Sequence, residues 1–224
     1  MRTVLKILLW LLIALVGSSV LAVVVYKYVP VYVTPLMVIR AVSPVGSDSQ
    51  QQRQRHPEHR WVPLDEMSPW MPRAVVSSED GNFYRHHGFD FEQIEIALEE
   101  RREGKRERGA STISQQTAKN VFLWNGHSWI RKGLEAYFTV LIEAIWGKER
   151  IMEVYLNSIE MGAGIYGAQA AADYYFGCDA SELSRRQCAL IAVSLPSPLK
   201  RDPAHPTPWM LRRANTISRY MGYN

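Results

Sequence analysis

Glu79 and Asp80 follow the short apolar run Ala74, Val75, Val76 and precede Gly81, Phe83, His86 and Gly88. A carboxylate placed where a helix gives way to a loop can be half-desolvated. Burial raises its pKa until the group can take or give a proton near neutral pH. On its own, a Glu-Asp pair after a helix is more often solvated surface, so the sharper reading depends on company elsewhere in the chain.

Two further clusters offer that company. Gly109, Ser111, Thr112, Gln115, Gln116, Lys119 and Asn120 combine a backbone free to approach a ligand with hydroxyls, amides and a cation at helical spacing. Such a surface suits an anionic ligand rich in oxygen. The same run also fits a capped amphipathic helix whose polar face meets water. Farther on, Lys132 and Glu135 put a cation and a second carboxylate on one helix face, next to Arg131. Exposed, they would form a weak surface ion pair. Facing the cleft of Glu79, they would neutralise a departing phosphate. Spacing leaves both readings open.

The elements that must position these residues begin with an apolar span. From Ile7 to Tyr26 no side chain is charged, and at about 1.5 Å per residue the run crosses the roughly 30 Å hydrocarbon layer. It is longer than the apolar region of a cleaved signal peptide, which favours a retained transmembrane helix. Arg2 and Lys6 precede it and Lys27 follows, so the positive-inside bias puts the short tail in the cytoplasm and the remainder outside the inner membrane. Tyr26, Tyr28 and Tyr32 would sit at the outer headgroup layer.

Pro30 and Pro35 keep the stretch from Val29 to Val42 from being one regular helix, and it would rest on the membrane surface. Ser43 to His59, with Pro44, Gly46 and three consecutive glutamines, is polar and aperiodic and reads as a linker. The expected division is therefore an anchor over 1–29, a membrane-proximal segment and linker over 30–60, and one folded body over 61–224. From Trp61 onward apolar residues recur at steps of three and four without strict alternation, so the body is expected to be all-α.

Within it, Asp90 with Gln93 reads as a capping box for a helix presenting Phe91, Ile94 and Leu98 on one face. The basic run 101–108 reads as a solvated loop. Ser111 or Thr112 caps the helix of the second cluster. Leu134, Phe138, Leu141 and Ile145 are expected to be the core-facing stripe of a longer helix. Ile151 and Tyr155 continue into a shorter one. Gly177 would close a helix from Ala168 to Phe176, Ser184 with Gln187 would open another, and Thr207 with Pro208 the last.

With 224 residues and a formal charge of +4, the chain has room for one such body beyond the anchor. The anchor argues against nucleic acid as a partner. Cys178 and Cys188 are too few for a disulfide framework and are expected as free, partly buried thiols.

The clusters together resemble the peptidoglycan glycosyltransferase family, as in bifunctional penicillin-binding proteins and, more closely, the monofunctional biosynthetic transglycosylases. The family's E-D-x-x-F-x-x-H-x-G is met by Glu79, Asp80, Phe83, His86 and Gly88. Its G-G-S-T-I-x-Q-Q-x-x-K-N is met by Gly109, Ser111 to Ile113, Gln115, Gln116, Lys119 and Asn120. Arg131, Lys132 and Glu135 meet R-K-x-x-E. A fourth motif, K-x-x-I-x-x-x-Y-L-N and the glycine-rich turn after it, is met by Lys148, Ile151, Tyr155 to Asn157, Gly162, Gly164, Tyr166, Gly167 and Tyr175 to Gly177. The likeness runs from about Trp61 to about Asp202. Ala110 departs from the second glycine, and His127 stands where relatives often carry Arg.

The resemblance implies a lysozyme-like helical glycosyltransferase domain behind one N-terminal transmembrane helix. Its substrate would be lipid II, added to a growing glycan strand with inversion to a β-1,4 link and release of undecaprenyl pyrophosphate. By the family's pattern Glu79 would be the base and Glu135 the second catalytic carboxylate. Ser111, Thr112, Gln116, Lys119, Asn120 and Lys132 would bind substrate. Asp80 would hold the loop. The resemblance also admits a divalent cation, Mg or Mn, at the diphosphate. As partners it brings membrane lipid and proteins of cell-wall synthesis or division. A muramidase or lytic transglycosylase is the runner-up enzyme, and an inactive membrane scaffold the reading from another class.

Overall fold

A computed structural model of the chain describes residues 2–104, 109–126 and 128–222. Helix α1, Arg2–Tyr28, is the only described helix long and apolar enough to cross a membrane. Its final turns alone meet the rest of the protein. Ser19 Oγ lies 2.7 Å from the Tyr137 hydroxyl, and Trp146 Nε1 donates to the Val23 carbonyl at 2.7 Å. Arg150 Nη2 donates to the carbonyls of Tyr26 (2.8 Å) and Val29 (2.7 Å), supplying a cation where the helix dipole is negative.

The prolines break the chain as expected. Pro35 then becomes the first residue of helix α2, Pro35–Val42, with Thr34 as its N-cap. α2 does not simply lie on a membrane surface, because Leu36 and Met37 are buried against the body.

The expected linker is structured instead. Ser47 and Gln50 form a capping box at the start of helix α3, Asp48–Arg55, and strand β1, Glu58–His59, follows. The segment lacks an apolar period because polar tertiary contacts hold it. Gln54 is fully buried and bridges both backbone groups of Val45, and Gln50 donates to the Leu199 carbonyl at 2.9 Å. Gly164 completes the seat: a Cβ there would stand 2.4 Å from the Arg53 carbonyl oxygen.

The body is all-α apart from a small sheet. Helices α4 (Trp70–Glu79), α5 (Phe91–Arg102), α6 (Ile113–Phe122), α7 (Trp129–Ile145) and α8 (Lys148–Ser158) come first. Strands β2 (Glu160–Gly162) and β3 (Ile165–Tyr166) precede α9 (Gly167–Phe176), α10 (Arg185–Ser194) and α11 (Pro208–Tyr220). The sheet has order β1-β3-β2, with β1 parallel to β3 and β2 antiparallel to it. At two or three residues each, its strands are too short for an alternating pattern to register.

Helix α8 is the buried centre: Ile151, Met152, Val154, Tyr155 and Leu156 are all fully inaccessible. α10 packs between α4 and α11. The expected caps at Thr112, Ser184 and Thr207 are present, and Gly177 closes α9 in the left-handed conformation. Both cysteines are free.

Two faces differ from expectation. On α7 the deepest residues are Arg131, Glu135, Thr139 and Ile142, whereas Leu134, Phe138, Leu141 and Ile145 are only half-buried along its flank. Ion pairing lets charged residues take the inner face. On α5, Asp90 accepts from the Gln93 N–H as a cap, yet Phe91 and Leu98 stay 74% and 51% exposed. The amphipathic pattern is there without a partner face.

Candidate active site

Glu79 is the last residue of α4, at the wall of a cleft of about 990 Å³. Gln116 Nε2, from α6, donates to its Oε2 at 3.2 Å, and Ser78 Oγ donates to Oε1 at 3.3 Å. The amide is oriented from behind. Tyr155 donates its hydroxyl hydrogen to Gln116 Oε1 at 3.1 Å, so the NH₂ must point toward Glu79. Burial holds the Tyr155 pKa well above the ordinary tyrosine value, which keeps it a donor.

Burial also raises the Glu79 pKa, the largest influence on it. Hydrogen bonds from Gln116 and Ser78 and the positive charges of Arg213 and Arg201 pull in the opposite direction. The balance is a carboxylate that can take up a proton more readily than a surface glutamate.

Asp80 points away from that role. Its Oδ2 accepts the Ile113 backbone N–H at 2.9 Å, at the first residue of α6, where an anion is favoured. His86 Nε2 lies 3.0 Å from both carboxylate oxygens, while His86 Nδ1 accepts the Gly88 N–H at 3.1 Å. An acceptor at Nδ1 fixes the hydrogen on Nε2, so the ring donates to Asp80. Thr112 Oγ1 then donates to the Gly88 carbonyl at 2.7 Å. A Cβ at Gly88 would meet Thr139 at 2.8 Å, so only glycine lets this loop lie against α7. The first two sequence clusters are thus one interlocked unit.

All the binding candidates except Lys132, which lines neither, divide between two pockets. Ser111 and Gln116 line the large cleft, whereas Lys119 and Asn120 line a second pocket of about 350 Å³. Gln116 and Pro196 border both. Thr112 lines the cleft too, but its side chain is spent on the helix cap and on Gly88.

Burial lowers the Lys119 pKa, the neighbouring Glu135 charge resists that shift, and Arg131 and Lys132 add to it. Glu135 is itself buried, and both of its oxygens are engaged: Oε2 by Arg131 at 2.7 Å and Oε1 by Lys132. Lys132 keeps its side chain 44% exposed. His127 lies outside the described residues.

Several site residues escaped the sequence reading. Arg201, Trp209 and Arg213 line the cleft beside Glu79, and Arg40 and Lys200 line the second pocket. The i,i+4 spacing of Trp209 and Arg213 put them on one face of the expected last helix, which was the available signal. Arg40 offered none.

Over residues 46–222 the chain matches the family profile described as Transglycosylase. The chain belongs to the transglycosylase family. A protein of Bacteroides thetaiotaomicron named biosynthetic peptidoglycan transglycosylase is 57% identical over 94% of this chain and 84% of its own length. Proteins with the same name from Caulobacter vibrioides (52% identical over 99% of this chain and 92% of the relative) and Pseudomonas putida (48% over 92% and 86%) are also similar. The transglycosylase is therefore an enzyme that transfers glycosyl groups, and its N-terminal helix fits attachment to a membrane.

Proposed function

We propose that this transglycosylase polymerises lipid II, a disaccharide-peptide on undecaprenyl pyrophosphate, into the glycan strands of peptidoglycan. The observation that carries the reading is Glu79: a half-buried carboxylate on the wall of an open cleft, oriented by Gln116, which also borders the pocket of Lys119. Glu79 takes the proton of the acceptor sugar's 4-hydroxyl as that oxygen attacks the anomeric carbon of the donor. The bond from that carbon to the diphosphate oxygen breaks, and its electron pair leaves with the undecaprenyl pyrophosphate. Attack from the opposite face inverts the centre and gives the β-1,4 link.

Lys119 and Lys132 offset the charge on the leaving diphosphate. Glu135, with both oxygens held by cations, positions Arg131 and Lys132 instead of moving a proton. Ser111 and Asn120 contact substrate from the two pockets, and Thr112 acts through the loop it holds.

A divalent cation accompanying the diphosphate would be held mainly by the phosphates themselves, with one or two protein carboxylates at most. Among the described residues no group of three or more His, Cys, Asp or Glu could hold a metal, and Glu135 has no free oxygen.

Ser19 pairs with Tyr137 and Val23 with Trp146, so α1 and α7 run in the same general sense. The first turns of α7, where Trp129 is 92% and Ile130 76% exposed, then face the membrane side. That supports a lipid-borne substrate, with the tail cytoplasmic, α1 in the inner membrane and the body in the periplasm beside other cell-wall synthesis or division proteins. Incubating full-length protein with labelled lipid II and with finished glycan tests the reading. Longer strands are expected; shortened glycan would mean cleavage instead, and an inert folded protein a scaffold.

A further inference from the structure

The second pocket lies between α2 and α6 and is built from both charge and apolar surface. Arg40, Lys119 and Lys200 face it together with the carboxylate Glu160, and Leu36 and Leu195 contribute apolar wall. Arg40 is the residue without a task so far. It belongs to α2, the helix directly after the membrane anchor, and not to any of the four motifs.

Its geometry is unlike that of a simple staple. Arg40 Nε and Nη2 both reach the same oxygen, Glu160 Oε2, at 3.4 and 3.3 Å, and Nη1 donates to no described group. A bidentate arginine-carboxylate pair would engage both oxygens at about 2.8 Å. Glu160 Oε1 is buried and makes no hydrogen bond of good geometry, with the Gly164 N–H and the Tyr166 hydroxyl as neighbouring donors that favour the carboxylate's charge. Burying an arginine–carboxylate pair of this loose geometry is expensive, and an apolar pair would join α2 to β2 better. What the pair does achieve is to hold a guanidinium at the pocket wall with donors to spare, among two lysines.

We propose that Arg40 is a further diphosphate-binding residue of the transglycosylase and that Glu160 is its positioning residue. The inference rests on the diphosphate-bearing substrate proposed above. Three cations against one carboxylate leave the excess positive charge that a diphosphate diester requires, since each of its phosphates carries an ionised oxygen. The apolar wall suits the first units of an attached lipid. Because α2 follows the anchor directly, Arg40 reads the phosphate close to the bilayer, on the opposite side of Gln116 from the sugar cleft.

An anionic phospholipid headgroup presents the same phosphate chemistry, and the experiment separates the two sources. Full-length protein is assayed with labelled lipid II in neutral detergent micelles, alone and with added phosphatidylglycerol. Inhibition and direct binding by inorganic pyrophosphate are measured in parallel. Arg40→Gln is expected to raise KM for lipid II about tenfold, with kcat changed less than about threefold, since charged-group hydrogen bonds made in the ground state are lost. Pyrophosphate inhibition and binding should weaken by a similar factor, and Arg40→Lys should restore part of both.

Glu160→Gln should raise KM by a smaller factor, and the double variant should be no worse than Arg40→Gln alone. Unchanged KM and pyrophosphate affinity in a folded, active Arg40→Gln protein would overturn the proposal. So would an effect seen only with phosphatidylglycerol, which assigns Arg40 to the headgroup. If Arg40→Gln does not fold, Arg40→Lys and Lys200→Gln carry the same measurements and the same criteria. Wild-type protein that makes no polymer but binds pyrophosphate through Arg40 sinks the polymerase reading and leaves this one standing.

Discussion

Gln116 Nε2 lies 3.2 Å from Glu79 Oε2 and joins the carboxylate that ends α4 to the polar face of α6. Tyr155, buried in the central helix, sets the sense of that contact from the far side of the amide. The carboxylate, the amide that contacts it and the phenol that fixes the amide therefore come from three separate helices.

Replacing Glu79 by Gln keeps a carbonyl oxygen for the Gln116 donor and removes the ionisable group. Polymerisation should fall by roughly 10²-fold or more. Because burial raises the Glu79 pKa, the folded state favours its protonated form. Its stability contribution is fully present below the unfolded pKa and is lost as pH rises through the folded value. Glu79→Gln should therefore melt at the same or a higher temperature than wild type at neutral pH, and should show less variation in melting temperature over that interval. Lower thermal stability at neutral pH would argue that the carboxylate is structurally required.

Activity should depend on pH with two limbs. The acid limb reports Glu79, which must be ionised, and should lie above the ordinary glutamate range because burial raises its pKa. The alkaline limb reports Lys119, which must stay protonated, and should begin below the ordinary lysine range because burial lowers its pKa. Lys119→Arg should move only the alkaline limb upward. Initial rates of lipid II polymerisation over a pH series, with Glu79 and Lys119 variants in parallel, check both assignments.

Asp80 binds the two halves of the site without touching the chemistry. Asp80→Ala strands the Ile113 N–H at the start of α6 and the His86 donor, so stability should fall by about 1–3 kcal/mol. Asp80→Asn should also destabilise, because its NH₂ would confront the His86 hydrogen that Gly88 fixes on Nε2. Urea unfolding of the full-length protein in detergent measures both.

The charged trio of α7 should separate by burial. Glu135→Ala leaves Arg131 buried and unpaired and should cost about 3–5 kcal/mol along with activity. Lys132→Ala removes a partly exposed cation and should change stability by less than about 1 kcal/mol while slowing turnover. Melting temperature and kcat for each variant decide it. A strongly destabilised Lys132→Ala would mean the cation is structural.

Gly164→Ala tests whether the polar segment before the first motif belongs to the folded body. The backbone there has φ +75°, and a Cβ would overlap the Arg53 carbonyl. Stability should drop by more than about 1 kcal/mol, with earlier proteolysis between residues 43 and 60. Wild-type resistance would return that segment to a loose linker.

The sequence by itself determined whatever depends on neighbours within a turn or two. The apolar run of α1, long enough to cross a membrane, the caps at Thr112, Ser184 and Thr207, the left-handed Gly177 and the end-of-helix position of Glu79 are local in this sense. The order of four motifs added the resemblance that made Glu79 the leading candidate. Tertiary structure decided what depends on residues far apart in the chain. Asp80 reaches Ile113, Tyr155 turns the Gln116 amide, Glu135 points inward with Arg131, and Gln50 and Gly164 seat α3. No periodicity records such contacts, because a polar side chain on a helix face looks the same whether it meets water or a buried partner. Packing alone fixes which it meets.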